Sequence, residues 1–129
     1  MSTLKVNTIQ NTSAAHSSTP EQIAQGRAKA WCNFDQSGTQ SIRDSFNVSS
    51  LTDQGVGFTD VNYTNAMSNT NYCAVMYNNG YDQDILINSF GNDFTGGMLL
   101  ETGKIKVSSY NGTSFHDSKL FQVVVFGDQ

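Results

Sequence analysis

The chain predicts an all-β fold, an antiparallel β-sandwich of about eight short strands preceded by an extended leader and one short helix. Two features carry this expectation. From residue 28 onward apolar side chains recur with period two, in short runs separated by Gly, Asn, Asp and Ser clusters. The polar complement is mostly Asn, Ser, Thr, Gln and Gly rather than charge, and charged residues make up only 14% of the chain. Asn, Ser and Thr compete with helical backbone bonds and favour turns and strand ends.

The leader, residues 1–26, opens on Leu4-Lys5-Val6 and Thr8-Ile9, a short β-like segment, and residues 11–18 are small and polar like a linker. Thr19-Pro20-Glu21-Gln22-Ile23-Ala24-Gln25-Gly26 then carries a complete set of helix-start signals. Thr19 fits the N-cap, Pro20 the first helical position, Gln22 the capping box and Gly26 the end. Such a helix has fewer than about two turns, and nucleation costs more than so few bonds return, so it needs a surface to pack on.

The second unit, residues 27–129, begins with Ala28, Ala30, Cys32 and Phe34 on one strand face and Lys29, Trp31 and Asn33 on the other. A turn at 35–39 follows, then a strand from Ile42, another around Phe46-Asn47-Val48 with Leu51, a turn at 53–55, and strands over 56–63, 72–77 and 85–90. Residues 104–110 lead into Asn111-Gly112, a hairpin signal because both residues tolerate positive φ. The last strand, 120–126, is apolar on both faces, which places it centrally in a sheet or in an oligomer interface.

Composition bounds function. Apolar residues at 37% suffice for one core in 129 residues. A net charge of −4 gives no footprint for a phosphate backbone, so no nucleic-acid partner is expected. No run approaches the ~20 apolar residues of a membrane span, so no membrane insertion is expected. The first 15 residues lack the apolar stretch of a signal peptide, which predicts assembly in a cytoplasm. There the two cysteines, Cys32 and Cys73, are expected to be reduced, buried small hydrophobes, with a disulfide open only to neighbouring strands.

No metal or cofactor is expected. His116-Asp117 is the one His–Asp neighbour pair, in a polar connection where exposed loop is favoured over catalytic dyad. Asp82 and Asp84 supply too few oxygens for calcium and read as a solvated hairpin loop. Trp31, opposite the core face, leaves three readings open: an interface, a ligand platform, or a wrong assignment of faces. Tyr77 and Tyr81 flank the Asn78-Asn79-Gly80 turn, and with Asp82, Asp84 and His116 they are candidates for contact with a host-surface glycan.

Several blocks resemble a known family. They are Gly26-Arg27-Ala28-Lys29-Ala30-Trp31-Cys32-Asn33-Phe34, Ile42-Arg43-Asp44-Ser45-Phe46-Asn47-Val48-Ser49-Ser50-Leu51-Thr52-Asp53, residues 61–67 and Asn71-Tyr72, with a leader Leu4-Lys5-Val6-Asn7-Thr8-Ile9-Gln10-Asn11. In order and spacing they resemble a domain of tail-fibre-like structural proteins of marine, cyanobacterial-type podophages. The resemblance covers residues 1–77; Cys32 stands where that family usually carries an aliphatic residue, and residues 78–129 are unmatched.

The resemblance implies a virion structural role, a homotrimer and no enzymatic activity. No long shaft or separate adhesin domain follows, so the expectation is the module alone, attached directly to a particle at its tail adaptor or nozzle. The alternatives are a capsid decoration or head-fibre protein and, from a different class, a free glycan-binding lectin. Within this reading Leu4, Val6 and Ile9 dock the leader, and Ile23, Trp31, Phe121, Val123 and Val125 form the oligomer interface.

Overall fold

A computed structural model describes residues 2–10, 12–13, 17–79, 100–111 and 113–129, and the backbone of 87–89. The fold is all-β, with antiparallel sheets and one short helix. The leader forms β1 (Ile9–Gln10), β2 (Ser17–Ser18) and α1 (Pro20–Gly26). The second unit forms β3 (Ala30–Asp35), β4 (Ser41–Phe46), β5 (Val48–Asp53), β6 (Phe58–Tyr63), β7 (Cys73–Asn79), β8 (Ile87–Ser89), β9 (Lys104–Tyr110) and β10 (Leu120–Phe126).

Two four-stranded sheets run β4-β3-β10-β7 and β5-β6-β9-β8, and β1 pairs with β2. Their inward residues belong to one buried cluster: Ala30, Cys32, Phe34, Phe121, Val123 and Val125 from the first sheet, Val61, Tyr63, Ile105 and Val107 from the second. The alternation expected for the Trp31 strand holds, since Ala30, Cys32 and Phe34 are buried and Trp31 and Asn33 face outward. Lys29 departs from it: the ladder extends one step below β3 through its N–H to the Val125 carbonyl, and the residue is buried.

The boundary between the second and third expected strands shifts. Phe46 ends β4, and Asn47 alone, at φ +57°, carries the ribbon from one sheet to the other. Asn tolerates this left-handed conformation better than other side chains. Its amide nitrogen donates to the Lys29 and Asn65 carbonyls, both at 3.0 Å, and its Oδ1 accepts from the Asn65 N–H at 2.8 Å.

The Asn111-Gly112 signal is corrected as well. The Asn111 side chain accepts from the Thr113 and Ser114 N–H groups, and Tyr110 bridges Phe115, so the chain does reverse. The next long strand, however, joins the other sheet, and β9 and β10 form no hairpin.

A buried polar network ties the sheets at one end. Gln36 is 1% exposed. Its Nε2 donates to Thr59 Oγ1 at 3.1 Å, and its Oε1 accepts from Ser109 Oγ at 2.8 Å and from the Ser118 N–H at 3.0 Å. Asn78 of β7 donates to the same Ser109 hydroxyl. The network brings together β6, β7, β9 and two connections, and each partner satisfies a group whose burial alone is costly.

Candidate functional surfaces

α1 forms as its capping signals require. The Thr19 hydroxyl accepts from the Gln22 N–H, and the Gln22 side chain accepts from the Thr19 N–H. Yet none of its side chains is buried, and its side-chain tie to the β-unit is the Gln25–Asp128 hydrogen bond. Ile23 instead lines an open groove of roughly 510 Å³ with Leu4, Val6, Ile9, Lys5, Asn7 and Pro20. Leu4 is 84% exposed and Ile9 54%. The structure therefore gathers the three expected docking residues and one expected interface residue around a single apolar groove.

It separates the remaining interface residues. Phe121, Val123 and Val125 point into the chain's own core and are at most 2% exposed, which corrects their assignment to an oligomer interface. The last strand is apolar on both faces because it lies centrally, between β3 and β7. Its outward positions are Leu120, Gln122, Val124 and Phe126, with Gln122 and Val124 beside Trp31.

Register fixes what surrounds Trp31. Residues directly opposite on paired strands share a face. One row across the first sheet is Phe46, Trp31, Val124 and Val75, and the next is Asp44, Asn33, Gln122 and Tyr77. On the outer face of the other sheet several polar groups are engaged, while Asp60 Oδ1 is buried without a partner among the described residues. Asn62 donates to Ser50 and Thr52 hydroxyls, and Asp60 Oδ2 accepts from Lys104 Nζ at 2.9 Å and from Gln54. The two outer faces thus differ: one carries hydrogen-bonded polar side chains, the other an apolar row beside a polar one.

His116 is exposed, with its Nε2 2.8 Å from Ser114 Oγ, while Asp117 accepts from the Gly57 N–H at 2.7 Å. The neighbours are thus engaged separately and form no dyad. Tyr77, 55% exposed, lies on the Trp31 face. Tyr81, Asp82 and Asp84 fall outside the described residues. Among the described residues no helix is long and apolar enough to cross a membrane, and no group of three or more His, Cys, Asp or Glu is placed to hold a metal.

The cysteines differ from each other, against the expectation that both are buried. Both are free thiols, Cys32 buried in β3 and Cys73 exposed on β7, with β10 between their strands. Burial, reinforced by the Asp44 carboxylate, pushes the Cys32 thiol up to about 12. A maleimide at about pH 8 is expected to label the folded chain once, at Cys73, because the thiolate is the nucleophile. Cys32 reacts only after denaturant is added. Equal labelling rates in the folded chain, read by mass spectrometry of peptides, would contradict the position of Cys32 in the core.

Compared with known proteins, the chain matches no family model, no curated protein and no solved structure.

Proposed function

We propose that the chain is a non-enzymatic structural module of a bacteriophage virion, of the tail-fibre kind, a β-sandwich that assembles as a homotrimer and is mounted through its leader. The observation that carries this reading is the groove formed by Leu4, Val6, Ile9 and Ile23. A seven-residue helix with no buried side chain cannot hold its shape alone. Apolar side chains exposed together mark a surface that another protein covers. Ile23 stays in that assembly surface, and Phe121, Val123 and Val125 leave it. The spaced blocks over residues 1–77 that resemble phage tail-fibre-like proteins supply the virion setting.

Multi-angle light scattering on the full chain and on a chain lacking residues 2–26 tests the assembly. The full chain is expected near three times 14.1 kDa and the truncated one at the mass of a single shortened chain, below 14.1 kDa. A trimer that survives truncation moves assembly to the β-unit and leaves the leader as the particle anchor; a monomer in both overturns the homotrimer. Antibody against residues 27–129 is expected to label intact particles at the tail. Label on the capsid makes the module a decoration protein, and its absence from purified particles overturns the virion reading.

A further inference from the structure

The outer face around Trp31 has a chemistry of its own. A shallow depression of roughly 290 Å³ lies there, lined by Trp31, Asn33, Asp44, Gln122 and Val124 over the backbone of Cys32 and Val123. Most of its polar groups are uncommitted. Asn33 Oδ1 is buried without a hydrogen-bond partner among the described residues. Neither the Gln122 amide nor the Trp31 indole N–H has a partner there. Asp44 spends one oxygen on the Ser45 N–H, and the neighbouring Arg43 is turned to Asp35.

We propose that this depression is a binding site for a neutral oligosaccharide, with a pyranose ring laid on Trp31 and its hydroxyls bonded to Asn33, Gln122 and Asp44. A pyranose has a face of C–H groups and a rim of hydroxyls. The site offers the complement: an indole with Val124 and Phe46 in one row and amides with a carboxylate in the next, two residues along each strand. Binding sites combine apolar walls with a few polar groups left free to fix orientation.

The charge decides the class of sugar. Asp44 is the charged residue among the described residues lining the depression, and none of these is Lys or Arg. Sialic and uronic acids would meet a carboxylate with no cation, so neutral sugars are selected. The rows cross four strands, about 14 Å at the usual strand spacing, which accommodates a short linear chain ending near Tyr77. The site stands whether or not the chain is mounted on a particle, since none of its residues belongs to the leader groove.

Trp31 is the chain's single tryptophan, so its fluorescence reports the site without signal from another indole. The full chain is titrated with maltotriose, cellotriose, mannotriose and galactotriose, and with trigalacturonic acid as the acidic counterpart. The expected result is a saturable change in emission with at least one neutral trisaccharide, at least about tenfold weaker with the acidic one. Gln122→Ala and Asp44→Ala, read through the same Trp31, are each expected to weaken binding by about tenfold or more. Trp31→Phe keeps an aromatic platform and is expected to retain part of the binding by calorimetry, whereas Trp31→Ala abolishes it.

Flat titrations with every neutral trisaccharide into the millimolar range overturn the proposal. So does binding that Gln122→Ala and Asp44→Ala leave unchanged. A shift of Trp31 emission on dilution without sugar, in step with a fall in mass, assigns the face to a second copy of the chain and overturns it equally.

Discussion

Phe34→Ala is expected to lower the unfolding free energy by about 3–5 kcal/mol, the cost of truncating a fully buried aromatic whose cavity the surroundings cannot fill. Phe34 is 0% exposed, and its ring stacks on that of Phe121 at 5.1 Å between centroids and 21° between planes. The two are directly opposite in the β3–β10 pairing, so the stack joins the two central strands of the first sheet. A small domain holds only about 5–15 kcal/mol in total, so the variant forfeits a large share. Urea titration is expected to show a lower midpoint with an unchanged slope. Phe46→Ala supplies the comparison: Phe46 is 51% exposed, and its loss is expected to cost under about 1 kcal/mol. If Phe46→Ala proved the costlier, the outer face rather than the inner one would be the covered side in solution.

Gly57→Ala carries the second large effect, about 3 kcal/mol or more. Gly57 has φ +77°, where an L side chain costs about 1–2 kcal/mol in backbone strain alone. A Cβ there would also stand 2.8 Å from the Ser109 carbonyl oxygen and 2.9 Å from the His116 nitrogen. Both are backbone atoms and cannot swing aside. They belong to strands and crossings that Gly57 itself ties down, since its N–H donates to Asp117 and its carbonyl accepts from the Ser109 N–H. Gly38→Ala separates the two terms. Gly38 has φ +63° but nothing within 4 Å of the added carbon, so it is expected to lose only the strain, about 1–2 kcal/mol. Equal midpoints for the two variants in urea would show that the approach of Gly57 to Ser109 does not matter.

What the sequence conveyed and what it withheld follow from the range of each interaction. Period-two alternation is local, so the inward set Ala30, Cys32, Phe34 and the outward Trp31 are legible without any partner. The capping box over Thr19 and Gln22 spans three residues and is equally plain. Pairing is not local. Strand β10 lies between β3 and β7, and nothing in 120–126 says which strands flank it or that Phe121, Val123 and Val125 look inward. Gln36 reads as a turn residue; its burial depends on Thr59, Ser109 and Ser118, 23 to 82 positions away. Cys73 was indistinguishable from Cys32 for the same reason, because only its placement opposite Phe126 sets its face. Of the candidate surfaces, Leu4, Val6, Ile9, Ile23 and Trp31 were legible as apolar residues out of place. That Asn33, Asp44 and Gln122 share one row, with Asn33 Oδ1 unpartnered among the described residues, is set by the register alone.

The position of β10 also sets a timetable for biosynthesis. The first sheet is β4-β3-β10-β7, so the segment translated last among its strands is the one that joins the two halves. Until residues 120–126 have left the ribosome, β3 lacks one neighbour and β7 has no described partner in its sheet. Both then present bare strand edges, the form in which nascent β-proteins associate with the wrong chain. The hairpin of β3 and β4 and that of β5 and β6 can form early, because their turns are short. The rest waits for the final strand, so yield in a cell depends on translation outpacing capture of those edges.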